Sequence, residues 1–495
     1  MLRRSAVMKS PRAPADQSDG LPLLLAVVTF AGVVGVLAIL RHEWWRDEAY
    51  TWLVVRASHS PADLLQRLGF NGHPRAYYLL AYGLYQLWPS PMVLSLSNLV
   101  FALLAIALLV RSAPFPPIHK ALFSLGFFPL YQYGVVARSY SLFLFLLFLY
   151  IHLKVRWPKH VAWRLLCLAL LAQIHLMSLT TAGVLLFLDL AEQRSGRATW
   201  SRASWISAGL VGVSLASSVY QILPRGAGRA VLGRGFGAFL DPANGYLPPF
   251  DRFSGPIQIG VGLVLFALSW YVVRQDRATL LRYALLAAPL LGISIAVYGG
   301  LRWHDGFYFI YFIAALWLGG TPSPRSMRFL GVVLALHAGV GVYAISEDFR
   351  RPYSNGREAA RTIHVEGLDR LPVLGLAVGS DAPGELHYAF EIDRIQPLLL
   401  YQQAGRAYDP RARTYEPYWR HYAEPDYFAS MTFADLVPRL HDIASREHTP
   451  LLIVTVEHNL SDDVDPAPAP LRRIARFPRP LDYGERLGLY LFRLE

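Results

Sequence analysis

The sequence predicts a polytopic α-helical membrane protein with an α/β domain at its C-terminal end. The chain has 495 residues, of which 54% are hydrophobic, and its mean hydropathy of +0.31 is positive. Apolar runs of spanning length recur through residues 1–345, and the composition becomes polar after them. This is more apolar sequence than one soluble core can bury, so most of it is expected to face lipid.

About eleven apolar segments reach or approach the length of a membrane span. They lie at residues 21–40, 91–110, 121–136, 139–153, 163–176, 177–190, 205–222, 256–273, 283–299, 306–320 and 328–345. The first follows a basic N-terminus and is long enough to cross a bilayer, which predicts an uncleaved helix in place of a signal peptide. The single cysteine, Cys167, lies inside an apolar run, so we expect it to serve packing.

The charged residues between these segments indicate on which side of the membrane each connection lies. If the N-terminus is cytoplasmic, the cytoplasmic connections are basic and contain almost no acid. Their basic residues are Arg111, Lys120, Lys154, Arg156, Lys159, Arg164, Arg194, Arg197, Arg202, Arg274, Arg277, Arg282, Arg325 and Arg328. The positive-inside rule therefore predicts a membrane protein with a cytoplasmic N-terminus and a C-terminal domain outside the cytoplasm. The net charge of +12 then reflects topology, and no nucleic-acid partner is expected.

Two domains are predicted, a transmembrane domain at 1–345 and an extracytoplasmic α/β domain at 346–495. A long external loop at 41–90 carries two stretches typical of short interfacial helices, residues 62–70 and 77–88. The C-terminal domain shows a helix-like stretch at 356–364 and strand-like runs at 373–378, 451–456 and 487–492.

The strongest local pattern places Asp47 and Glu48 just beyond the first span, after Trp44, Trp45 and Arg46. Two adjacent carboxylates at a membrane edge carry a desolvation cost that needs a reason. A catalytic base is one reason. Capping of an interfacial helix is the alternative, because acids favour a helix N-terminus.

Further polar groups fall on the same predicted face as Asp47. They are His73, Arg138, His175 and the run Arg302, Trp303, His304 and Asp305. Arg138 lies in a tight turn between two apolar runs, and its planar set of donors fits a phosphate. A salt bridge to Asp47 or Glu48 is the alternative for Arg138. Structural roles are the alternatives for the two histidines.

Two other classes of protein compete with an enzyme. A lipid or polysaccharide transporter or flippase predicts internal repeats and polar groups near the bilayer midplane. The apolar runs contain almost no Asp, Glu or Lys, which disfavours a proton-coupled transporter. A non-enzymatic assembly or receptor protein that binds through its C-terminal domain would not need Asp47 together with Arg138.

The order of these motifs resembles the GT-C glycosyltransferases, specifically bacterial relatives of protein O-mannosyltransferases and of the lipid A aminoarabinose transferase. The resemblance covers about the first 345 residues: a first span, Asp47-Glu48, His73-Pro74 followed by Tyr77-Tyr78, and Ala137-Arg138-Ser139-Tyr140. The run Asn355-Gly356-Arg357-Glu358-Ala359-Ala360 also resembles the start of the soluble domain in these proteins. Arg75 stands where the family commonly has a second proline after the histidine.

The resemblance implies an inverting transfer of a sugar from a polyprenyl-phosphate donor, with Asp47 as the catalytic base and Glu48 assisting. It implies arginines for the donor phosphate, here Arg138 and Arg302. The expected substrate-binding residues are His73, Tyr140, His175, His304 and Trp45. The acceptor would be a glycan, a lipid or a protein, and membrane lipid surrounds the enzyme. No cofactor is assigned, and a divalent metal held by Asp47, Glu48 and His73 is the open alternative. The resemblance to bacterial proteins also implies a location in the bacterial inner membrane, with the C-terminal domain in the periplasm.

Overall fold

The computed structural model describes residues 20–69, 72–196, 198–223, 235–251, 254–297, 302–320, 322–382, 385–402, 406–410, 413–416, 430–457, 460, 466, 469–481 and 486–493. The helices of the membrane region and the linker after it are α1 Gly20–Arg41, α2 Arg46–Arg56, α3 Pro61–Arg67, α4 Ala76–Leu87, α5 Met92–Ser112, α6 Pro117–Ser124, α7 Tyr140–Arg156, α8 Val161–Ala172, α9 Leu176–Arg194, α10 Arg202–Ile222, α11 Asp241–Tyr246, α12 Pro256–Val273, α13 Arg277–Ala296, α14 Arg302–Gly319 and α15 Pro324–Arg350. A π-helix covers Phe127–Val135 and a 3₁₀ turn covers Gly235–Leu240.

The C-terminal region combines helices α16 Gly356–Val365, α17 Gln396–Tyr401 and α18 Phe433–Glu447 with seven strands. The strands are β1 Val373–Ala382, β2 Glu385–Phe390, β3 Ala407–Asp409, β4 Thr414–Glu416, β5 Leu451–Glu457, β6 Arg472–Arg476 and β7 Arg486–Phe492. The helix and the three strands predicted after residue 355 are thus confirmed, as are the two short helices of the external loop.

Each predicted apolar segment coincides with helical structure. Seven helices of the described chain are long and apolar enough to cross a membrane: α1, α5, α9, α10, α12, α13 and α15. The π-helix and α6 form a bent pair with α7, which raises the number to eight if the pair is one span. Helix α8 has 12 residues, or about 18 Å at 1.5 Å per residue, which is short for the hydrocarbon core. A helical chain with several membrane-crossing helices is confirmed, and eleven crossings stay a prediction.

The basic connections predicted to be cytoplasmic meet at one end of the helical bundle. His119 Nε2 lies 2.8 Å from the carbonyl oxygen of Met327, and Ser112 hydrogen-bonds His152. One acid from inside the predicted apolar segment 177–190, Asp189, also lies at this end. Asp189 is fully buried and binds Lys154 Nζ at 2.6 Å and Arg164 Nε at 3.1 Å. A buried acid between two cations removes the cost of leaving those charges unpaired.

The π-helix ends in the turn that carries Arg138. Asn98 on α5 donates its side-chain amide to the carbonyl oxygens of Tyr133 (2.7 Å), Gly134 (3.2 Å) and Val136 (3.0 Å). These carbonyls have no regular helical partner, because the chain bends by 120° between the π-helix and α7. One buried amide therefore satisfies the end of the π-helix and fixes the start of the turn.

The C-terminal sheet has five strands in the order β2-β1-β5-β7-β6, with β1 and β5 parallel and the other pairs antiparallel. Alternate residues of β5 face opposite sides. Leu451 and Ile453 pack in the cluster that contains α18, whereas Leu452, Val454 and Val456 pack in the cluster that contains α16 and α17. This second cluster is where the sheet meets the membrane region.

One buried cluster extends across the predicted boundary between the domains at 345/346. Helix α15 runs unbroken through it to Arg350. Trp52 and Val54 of α2 share a buried cluster with Leu398 and Leu399 of α17 and with Val454 of β5. The external loop and the C-terminal region therefore fold on one another, because the apolar face of α2 is covered by α17 instead of lipid.

Candidate active site

Glu48 is buried at the start of α2, and both of its carboxylate oxygens are bonded. Oε2 accepts the backbone N–H of Trp45 at 3.0 Å and lies 3.0 Å from His42 Nε2. Oε1 accepts the backbone N–H of Ala137. This geometry fits the capping alternative, since the acid satisfies a free amide at the helix N-terminus. Both oxygens of Glu48 are therefore engaged in bonds within the protein, and the assisting catalytic role predicted for it stays a prediction.

Asp47 differs from its neighbour in exposure, because 27% of its side chain is accessible. Its Oδ2 lies 3.2 Å from Arg138 Nη2, and Arg138 Nη1 donates to the Asp47 carbonyl at 3.0 Å. Arg46 Nε lies 3.5 Å from the other carboxylate oxygen. The salt bridge considered as the alternative for Arg138 is thus present, and it joins two segments that are 91 residues apart.

The turn at Arg138 is held from both sides. Asn98 binds the preceding carbonyls, and Glu48 accepts the amide of Ala137. Tyr77 of α4 donates to the Ala137 carbonyl at 3.4 Å. Arg138 is itself buried, so its guanidinium has little freedom to leave Asp47. Sequence reasoning missed Asn98, whose only visible signal is an amide inside an apolar span.

Three histidines and a tyrosine form a second group, here called the histidine cluster: His73, Tyr140, His175 and His304. The rings of His73 and His175 stack with centroids 4.3 Å apart, and His175 and His304 are 5.2 Å apart. Tyr140 Oη lies 3.1 Å from His304 Nε2. Four predicted substrate-binding residues from four separate segments are therefore brought together.

His175 has a defined protonation pattern. It precedes α9, and its Nδ1 accepts the backbone N–H of Met177 at 3.2 Å. A ring nitrogen that accepts carries no hydrogen, so in the neutral ring the hydrogen is on Nε2. Among the described residues, Nε2 is buried and has no hydrogen-bond partner. The cluster thus contains a buried N–H donor that lacks an acceptor.

Trp45 packs edge-on against Trp303 with centroids 4.5 Å apart. Its indole Nε1 is a second buried donor without a partner in the described part of the chain. Trp303 also lies beside His304, with ring centroids 6.0 Å apart. Trp45 therefore connects the Asp47 end of α2 to the histidine cluster through the first turn of α14.

The metal alternative finds no matching geometry. Within the described ranges, no three His, Cys, Asp or Glu side chains are arranged to hold a metal ion. Glu48 binds His42 and two amides, Asp47 binds Arg138, and His73 stacks on His175. Arg302, the second arginine predicted to bind the donor phosphate, begins α14, and its side chain lies outside the described residues.

Comparison with known proteins adds no relative: no family model, no curated protein and no solved structure matches this chain.

Proposed function

We propose that this protein is an inverting glycosyltransferase that moves a sugar from a polyprenyl-phosphate donor to an acceptor outside the cytoplasm. The observation that carries the proposal is the Asp47–Arg138 pair. A partly exposed carboxylate and a buried guanidinium lie 3.2 Å apart at the end of an apolar helical bundle. A donor with a lipid tail and a charged head requires this combination of apolar surroundings and charge.

Asp47 takes the role of general base. The acceptor hydroxyl attacks the anomeric carbon, its proton passes to the Asp47 carboxylate, and the bond from that carbon to the phosphate oxygen breaks. One displacement inverts the anomeric carbon, and a general base contributes about 10²–10⁴-fold to such a step. Arg138 stabilises the charge that grows on the leaving polyprenyl phosphate.

The histidine cluster and Trp45 bind the donor head group in this proposal. Two buried N–H donors for which the described residues supply no acceptor, His175 Nε2 and Trp45 Nε1, fit a ligand rich in oxygen acceptors. His73, Tyr140 and His304 surround the same ligand, and Arg302 contributes a second cation. The tryptophans supply flat apolar surface against which a sugar ring packs.

The topology belongs to the same proposal. All eleven segments cross a bacterial inner membrane, with the N-terminus in the cytoplasm and the C-terminal domain in the periplasm. Two observations support this topology. The chain bends by 120° at Arg138 and turns α7 back along the π-helix. The basic connections meet at one end of the bundle, and Arg138, the partner of Asp47, lies at the opposite end.

Transfer of labelled sugar from a panel of polyprenyl-phosphate sugars to membrane extract tests this function, with wild type and Asp47→Asn compared. The matched control is Asp63→Asn, which removes another partly exposed acid that pairs with an arginine, Arg67 at 2.8 Å. Transfer that is lost in Asp47→Asn alone supports the proposal. Equal transfer by both variants eliminates Asp47 as the base. If wild type moves sugar from no donor, the transporter or receptor alternatives take precedence.

A further inference from the structure

The segment between α1 and α2 is held by the C-terminal region at successive residues. The backbone N–H of Trp44 donates to Tyr401 Oη at 3.4 Å, and its carbonyl accepts the Ser354 hydroxyl at 3.0 Å. Glu43 lies 3.9 Å from Arg357. The entry to α2, and with it the position of Asp47, is therefore set by residues more than 300 positions further along the chain.

His42 is the central contact of this segment. Its Nδ1 lies 2.7 Å from Asp348 Oδ2, and its Nε2 lies 3.0 Å from Glu48 Oε2. Tyr131 of the π-helix binds the same Asp348 oxygen at 3.2 Å, and the Tyr353 ring lies 4.8 Å from the imidazole. Both ring nitrogens face carboxylates, so both donate and the ring is an imidazolium. All three charged side chains are buried.

The path from His42 to the reacting groups is short. Glu48, which His42 holds, accepts the amides of Trp45 and Ala137. Trp45 precedes the first turn of α2, where Asp47 lies. Ala137 precedes Arg138. One carboxylate thus aligns both halves of the Asp47–Arg138 pair, and its orientation depends on the imidazolium.

We infer that His42 is a positioning residue that fixes the Asp47–Arg138 pair through Glu48 and couples that pair to the C-terminal region through Asp348. The inference rests on the proposed function insofar as Asp47 and Arg138 are the reacting groups. His42 does not touch the acceptor or the donor. Without it, two buried carboxylates lose their shared cation, and Glu48 turns away from the Ala137 amide.

The test compares the full-length wild type with His42→Gln, which retains a donor but no charge. The control, Tyr283→Phe, removes the buried hydrogen bond of 2.9 Å between Tyr246 of α11 and Tyr283 of α13. Hydrogen exchange is followed in peptides that contain Ala137, in detergent micelles, together with kcat and KM for sugar transfer. In His42→Gln we expect exchange about tenfold faster at Ala137, the effect of one lost hydrogen bond to a charged group. We expect kcat to fall by about tenfold or more while the donor KM changes little.

Unchanged exchange at Ala137, or faster exchange with unchanged kcat, overturns the inference. If exchange at Ala137 is faster in His42→Gln but the wild type transfers no sugar, the proposed function is refuted and the structural part of the inference stands. If His42→Gln does not fold, Asp348→Asn weakens the same imidazolium with a nearly isosteric side chain. Smaller changes of the same sign in that variant support the inference, and none overturns it.

Discussion

Arg138 contacts Asp47 twice, through its carboxylate at 3.2 Å and through its backbone carbonyl at 3.0 Å. The two contacts use different nitrogens of one planar group, so they fix direction as well as distance. Replacement of Arg138 by Lys keeps the charge and removes this geometry. We expect kcat for transfer to fall by about 10- to 100-fold, on the order of the loss of one charge-assisted contact in the transition state.

The control for Arg138→Lys is Arg67→Lys, since Arg67 pairs with a partly exposed acid, Asp63, at 2.8 Å. That change should leave transfer within about twofold of wild type, because exposed pairs contribute little. A variant with Lys at position 138 and full activity would show that the planar geometry is unimportant.

The amide of Asn98 should be indispensable for the turn at Arg138. Asn98→Asp replaces a donor to three carbonyl oxygens with an acceptor, and each buried group left unsatisfied costs about 1–3 kcal/mol. We expect a lower Tm and a loss of transfer, measured by thermal unfolding in detergent and by the labelled-sugar assay. Ser97→Ala, one residue earlier on α5, removes only a hydroxyl bonded to its own helix and should change neither.

Two substitutions of His175 distinguish the role of its Nδ1, which caps α9, from the role of its Nε2 as an N–H donor. Asn offers an oxygen where Nδ1 accepts the Met177 amide, so His175→Asn should keep the stability of α9 and lose the Nε2 donor. His175→Gln places an amide donor near Nε2 and weakens the cap, which costs about 1 kcal/mol.

The affinity for undecaprenyl phosphate, with inorganic phosphate and uncharged polyprenol as comparison ligands, measures whether the Nε2 N–H of His175 contacts the sugar donor. Under the proposed function, His175→Asn should bind undecaprenyl phosphate about tenfold more weakly, or about 1.4 kcal/mol, at an unchanged Tm. Wild-type affinity in His175→Asn would mean that Nε2 meets no ligand.

Stability should fall with rising pH in a window set by His42. Burial by itself lowers the pKa of His42, but the charges of Asp348 and Glu48 outweigh it and raise that pKa from 6.5 to about 10. Between these values the folded protein binds a proton that the unfolded chain does not bind. The contribution of His42 to the free energy of unfolding is therefore fully present below pH 6.5 and is lost as the pH rises through 10.

Thermal unfolding at a series of pH values measures this effect. His42→Gln should have a flatter dependence than wild type between pH 6.5 and 10, because the titrating group is gone. Parallel curves for the two proteins would show that the imidazole is not held as a cation.

Helix positions were predictable because hydrophobic length is a local property. The apolar segments, the short helices predicted at 62–70 and 77–88, and three strands of the C-terminal sheet all lie where composition and periodicity place them. The list of polar residues expected on one face was also informative, since His73, Tyr140, His175 and His304 do meet. The individual roles of the polar residues were not predictable. Asp47 and Glu48, for example, are adjacent residues with the same carboxyl group, but 27% of the Asp47 side chain is accessible whereas Glu48 is fully buried.

A helical membrane protein with a C-terminal sheet and polar residues at the helix ends is predictable from short segments, because span length, charge and strand periodicity are local properties. The buried cap at Glu48, the contact of Asp47 with Arg138, and the bridge that His42 forms between Glu48 and Asp348 depend on packing between distant segments. The residues His42 and Asp348 are 306 positions apart. No local pattern encodes such a contact, since it arises only when α1, α2, the π-helix and α15 pack together and bury their charges against one another.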